Sequence, residues 1–240
     1  METIDIIGGI ECAAAAAAII IVLSQMLGAS LARQWKVAAA LSAWFGIVVA
    51  LAATGALHER PRIGSAAVGV AVLAPIVLMW TALRRVGSLR EAMTKAPLEN
   101  LVALHSVRVL GVSFLILQAD GRLPAPFAPL AGGGDVIAGL AAIFVAWMIH
   151  RRAAGWQAAL MAWNLFGLAD LTVAIALGVL SSRGPLRMIF TEPSADLMST
   201  LPWLLIPAYL VPLLATIHLV IFSRISAPCR AGCSTSSAAR

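Results

Sequence analysis

The chain reads as an all-α membrane protein, a bundle of seven transmembrane helices with the N-terminus outside and the C-terminus cytoplasmic. Three observations predict this. Of its 240 residues, 61% are hydrophobic and only 12% charged, where a soluble domain carries about 25% charged, and the mean hydropathy is +0.94. Apolar runs long enough for a helical crossing recur along the chain, and at roughly 20 residues per span the length holds about seven of them with no room for a soluble domain. The basic residues between the runs are unevenly shared between the two sides. Residues 1–225 are read as one transmembrane domain and residues 226–240 as a short disordered cytoplasmic tail.

Helix follows from physics more than from propensity. A lipid-exposed backbone must satisfy its own hydrogen bonds, and the ten-residue alternation of barrel strands is absent. The first run, about residues 6–31, follows an N-terminus carrying Glu2 and Asp5. A signal peptide wants a positive start, so this run is expected to persist as a span, with Glu11 inside it. The second run, 37–57, follows LARQWK, and the third, 65–83, follows HERPRIG and contains Pro75. The stretch RRVGSLREAMTKAPLEN is read as a connection to the fourth run, 101–119, which holds His105 and Arg108.

Next comes GRLPAPFAPLAGGGD, read as a loop in which three prolines limit the conformations and three consecutive glycines loosen the approach to the fifth span. Asp135 stands where it would cap a short fifth span over 135–149. A lid over an outer vestibule lined by Gln118, Asp120 and Asp135 is the sharper reading of the same loop. The sixth run, 157–181, carries Asn164 and Asp170. The seventh, 201–223, is expected to open at Pro202, to kink at Pro207 and Pro212, and to carry His218. Trp35, Trp80, Trp147, Trp156 and Trp203 fall near span ends and fit an interfacial aromatic belt, whereas Trp44 and Trp163 lie deeper. His58 and His150 read as interfacial.

The net charge of +6 comes from 15 Arg and 2 Lys against 11 acids. With the N-terminus outside, eleven basic residues fall on the cytoplasmic side and five outside, with Arg108 inside the membrane, which sets the orientation. The arginines flank spans and form no basic stripe interleaved with aromatics, so nucleic acid is not an expected partner. The lipid bilayer is. Cys12, Cys229 and Cys233 are the only cysteines. The last two form a CxxxC in the tail without a companion ligand set, and no metal or other cofactor is expected.

Ionisable groups inside hydrocarbon cost about 2.5–3.5 kcal/mol each on insertion scales and face a bundle interior or a water-filled cavity. His105 and Arg108 share one face of the fourth span. Asp170 lies at matching depth in the sixth as the counter-ion of Arg108, with Asn164 and His218 nearby. These five residues are the candidate binding or coupling core. His105 and His218 are also the one pair able to face each other across a haem.

Signatures of known enzymes are missing: the sequence has no HExxH, no GxSxG and no Walker loop. The segments LPAPFAPLAGGGDVIAGLAA and AWNLFGLADLTVAIALG resemble a group of uncharacterised bacterial multi-span membrane proteins. That group shares an R-x-x-G span, an LP..F..AGxGD loop and a WNxxGxxDL helix. The matching residues are Arg108 and Gly111; Leu123, Pro124, Phe127, Ala131, Gly132, Gly134 and Asp135; and Trp163, Asn164, Gly167, Asp170 and Leu171. The resemblance implies a shared fold, raises interest in these positions and brings no activity; the expected location is a bacterial inner membrane. The expected role is binding or transport of a small solute or proton through the polar core. A non-catalytic sensor or assembly module, or an enzyme acting on lipid, are the alternatives.

Overall fold

In the computed structural model the described residues are 2–57 and 64–226. His58, Arg60 and Arg62 of the second connection, and the tail with Cys229 and Cys233, lie outside them. The molecule is all-helical, 81% helix with no strand among the described residues.

Seven helices are long and apolar enough to cross a membrane. They are α1 (Thr3–Leu27), α2 (Leu31–Ala53), α3 (Gly64–Arg85), α5 (Leu98–Ala119), α6 (Phe127–His150), α7 (Trp156–Ser181) and α8 (Ile206–Ile225). A short helix, α4 (Gly87–Lys95), lies between α3 and α5, in the stretch expected to be a plain connection. Its Met93 is buried while Arg90 and Lys95 are exposed, so it is an amphipathic helix lying against one end of the bundle. Arg224 at the end of α8 donates to the Ala96 carbonyl at 2.8 Å and the Met93 carbonyl at 3.4 Å, holding α4 in place.

At the opposite end Arg122 donates to Glu2 and Asp5, each at 2.9 Å, and the indole of Trp203 donates to Asp5 at 3.0 Å. Trp203 is therefore not an interfacial residue facing lipid. It is 1% exposed and rests on Gly8, where any larger side chain would collide with the ring.

One continuous apolar core draws buried residues from all eight helices, among them Ile19, Val48, Val72, Met93, Leu101, Ala142, Leu160 and Ile217. The most enclosed element is α8, with 67% of its central window buried, followed by α5 at 50% and α6 at 44%. By contrast α2 and α3 have 11% each and stand at the periphery. Outward side chains such as Ile10, Val77, Leu78 and Phe144 suit lipid contact.

Two departures from the expected boundaries move the site. The proline- and glycine-rich stretch is not a loop beyond residue 126, because α6 begins at Phe127 and runs straight through Gly132, Gly133 and Gly134. Pro129 falls in its first turn, where a missing N–H breaks no intrahelical bond. At the other end of the chain, Pro202 does not open the last span. It lies in a turn, and α8 begins at Ile206 with a π-helical turn, Ile206–Leu210, around Pro207. Proline cannot donate to the ordinary i→i−4 ladder, and such wide turns absorb the mismatch. The middle of α5 also departs from α geometry: Leu104–Gly111 is an eight-residue 3-10 stretch, longer than the three or four residues usual for that geometry.

Candidate functional site

A 3-10 stretch has three residues per turn, so side chains at i and i+3 eclipse. His105, Arg108 and Gly111 therefore line up on one edge of α5, and all three are buried. Arg108 is the centre of the site, its side chain 1% exposed at mid-span. Its Nε donates to Asp135 Oδ1 of α6 at 2.7 Å. One terminal nitrogen, Nη2, donates to Asp170 Oδ2 of α7. The other, Nη1, donates to the Gly167 carbonyl at 3.2 Å and lies 3.3 Å from His218 Nε2 of α8. The planar guanidinium fork thus ties together four helices.

His218 is fixed on its far side as well. Its Nδ1 meets Asn164 Oδ1 at 2.8 Å, and Asn164 Nδ2 donates to the His218 carbonyl at 3.3 Å. The rings of His105 and His218 are 4.0 Å apart between centroids, and Trp163 packs against both at 5.0 and 4.9 Å. The Trp163 indole donates to the Ala138 carbonyl at 2.9 Å. With the two imidazoles in direct contact and tilted by 49°, there is no layer between them for a haem plane, and the haem reading of this pair is corrected. Both ring nitrogens of His105, a residue 0% exposed, are without a hydrogen-bond partner.

The structure brings together all five residues expected in the core: His105, Arg108, Asn164, Asp170 and His218. It adds Asp135, which sequence reasoning placed elsewhere. Asp135 is not a helix cap, and it lines a cavity that reaches the end of the bundle holding Trp203. It is the ninth residue of α6, and its carboxylate is committed to Arg108. Gln118 and Asp120 do not join it: Gln118 is half-buried near the end of α5, and Asp120 is exposed.

Close approach explains how three charges fit in so narrow a space. A Cβ on Gly134 would overlap the Asp170 carboxylate, one on Gly167 would meet the His218 ring and the Arg108 guanidinium, and one on Gly111 would meet Asp135. Gly139 lets α6 lie against the backbone at Val109. Small residues at helix contacts are the usual device for close packing in membranes. Here they make room for an ionic cluster.

Two cavities flank the carboxylate of Asp135 and share the walls Phe114, Leu171, Ile206 and Val211. The larger, about 50 Å³, extends to Ser182, Met198 and Gly178 at the end of the bundle that holds Trp203. The smaller, about 30 Å³, reaches Arg108, Gly111 and Cys12. Each has room for a few water molecules. Nearby, Glu11 of α1 accepts from the Ser113 hydroxyl of α5 at 2.8 Å, a partner that its own helix could not supply.

Residues 65–226 match the family described as a domain of unknown function, DUF8737. The chain belongs to that family. The matched region is about two thirds of the chain and contains every member of the cluster around Arg108, while α1 and α2 precede it. No curated protein and no solved structure matches the chain.

Proposed function

We propose that the protein carries or conducts a proton or small solute across a bacterial inner membrane, with the N-terminus outside and the C-terminus cytoplasmic. The observation that carries this reading is a charge count. One guanidinium faces two carboxylates, so with both acids ionised the buried cluster is one positive charge short. A proton or a small cation arriving at Asp135 or Asp170 cancels that deficit. The guanidinium is then free to favour the acid that remains charged, and the Arg108–Asp170 contact becomes a switch between two arrangements.

Three features support this. Water-sized cavities reach Asp135 from the end of the bundle that holds Trp203. The elements lining them include the two segments with non-α geometry, Leu104–Gly111 and Ile206–Leu210, the kind of helix irregularity that recurs at functional sites. His105 supplies two unpartnered nitrogens immediately beyond the guanidinium, on the side leading toward the other end. The resemblance to bacterial multi-span proteins and the eleven-to-five basic bias support the membrane and the orientation.

A second reading has its own observation. The reciprocal Asn164–His218 hydrogen bonds and the glycine-lined contacts make the cluster a rigid fastener of four helices, which suits a non-catalytic sensor or assembly module. Reconstitution into liposomes containing a pH-sensitive dye separates the two, backed by native mass spectrometry and an absorption spectrum on wild type beside Asp170→Asn. Proton flux, or a bound small molecule, present in wild type and lost in folded Asp170→Asn supports the carrier. Equal, silent and empty proteins support the fastener.

A further inference from the structure

A second site lies at the α4 end of the bundle, apart from the Arg108 cluster. A cavity of about 200 Å³, partly open, is enclosed by α1, α2, α3, α4 and α8. Its walls include Leu27, Leu41, Met79, Leu83, Met93 and Ile217. The single hydroxyl among its lining residues, that of Thr216, donates back to the Pro212 carbonyl at 2.8 Å and offers no polar group to a ligand. An apolar void of this size stays dry, and one of about 150 Å³ takes up benzene. In a membrane the available occupant is hydrocarbon.

Cations stand next to this cavity's lining residues in the chain. Ala82 and Leu83 line it, and the exposed Arg84 and Arg85 follow directly in α3. Leu89 lines it, and the exposed Arg90 follows in α4. Val37 lines it, with Lys36 next to it and Arg33 one turn earlier in α2, both exposed. Among the described residues none of these five cations is within ion-pair distance of a carboxylate. The nearby Glu91 is already taken, bonded to Lys95 at 2.6 Å. The Lys95 contact, with a weaker contribution from Arg33, holds the Glu91 carboxyl below its usual range.

We propose that this cavity and the cations beside it form a binding site for an anionic membrane lipid, with a headgroup-proximal stretch of acyl chain among the apolar walls and the phosphate among Arg33, Lys36, Arg84, Arg85 and Arg90. The amphipathic α4 serves as its cover, with Leu89 and Met93 turned to the chain and Arg90 to the headgroup. Lipids with one chemistry of tail and two of headgroup distinguish this site from a general hydrocarbon gap.

The test adds dioleoyl phosphatidylglycerol or dioleoyl phosphatidylcholine to the detergent-purified protein and counts retained lipid by native mass spectrometry. Wild type retains the anionic lipid preferentially. Arg84→Gln with Arg90→Gln loses that preference, at about fivefold for each cation removed. Ala82→Phe, which fills the cavity, lowers retention of both lipids, and Ala40→Leu is read in its place if Ala82→Phe does not fold. Equal retention of the two lipids by wild type overturns the proposal, as does undiminished phosphatidylglycerol retention in a folded cavity-filled variant.

Discussion

Arg108 concentrates much of the site's energetics, because from a position 1% exposed it satisfies two acids and one carbonyl on two other helices and lies against His218 of a third. Removing it alone strands two carboxylates. Arg108→Ala is therefore expected to destabilise the protein by about 3–5 kcal/mol, the usual range for a broken buried pair, read as a fall in the thermal unfolding midpoint in detergent. Replacing all three charges together, as Arg108→Leu with Asp135→Asn and Asp170→Asn, should recover most of that loss. Failure to recover any of it would mean that the cluster is not held together by charge. His105 allows a complementary test. Its unpartnered nitrogens contribute nothing to stability, so His105→Leu is expected to leave the midpoint unchanged or raised, since the unmet desolvation of about 1–3 kcal/mol disappears. If the carrier reading holds, the same variant loses flux in liposomes.

At the scale of elements, the fit of α6 against α5 and α7 depends on which glycine is considered. Gly134 abuts the Asp170 carboxylate, whereas a Cβ on Gly133 would meet nothing within 4 Å. Gly134→Ala should cost about 1–3 kcal/mol, as overpacking does, and Gly133→Ala should be silent or slightly stabilising, both measured by the same unfolding assay. Equal effects would show that α6 is not oriented by this contact. The segment between α7 and α8 carries its own charge network. Arg187 donates to Glu192 at 3.0 Å and, with help from Arg183, holds that carboxyl below its usual range. Because the folded value lies below the unfolded one, the ordering this pair provides is present above the ordinary carboxylate range and is lost as pH falls through the lowered value. A spin label on Met188→Cys, 74% exposed in wild type, should be ordered at about pH 7 and mobile near pH 3.

For the whole molecule, the two ends differ in kind. One is fastened by Glu2, Asp5, Arg122 and Trp203, and the other by α4 and Arg224. The proposed orientation puts the first end outside. With Cys12, Cys229 and Cys233 replaced by serine, an impermeant maleimide applied to intact cells should label Asp120→Cys and leave Ala154→Cys unlabelled until the cells are opened. The reverse pattern would invert the orientation and assign the cationic end to the outer face.

The sequence by itself determined the helical class and the seven helices long and apolar enough to cross a membrane, because apolar runs of this length leave the backbone no alternative in lipid. It also determined the pairing of His105 with Arg108 on one edge, which i, i+3 spacing imposes in α and 3-10 geometry alike. The tertiary structure decided the rest. Three successive glycines and a proline predict a loop in water, yet α6 runs through them, because helix is the way hydrocarbon allows and because Gly132 and Gly134 admit neighbours that no larger residue would. That turned Asp135 from a cap into the second acid of the cluster. Trp203 moved from lipid to the interior for a related reason: Asp5 and Gly8 sit nearly two hundred positions away in the chain, and only folding brings an indole, its acceptor and its resting surface together.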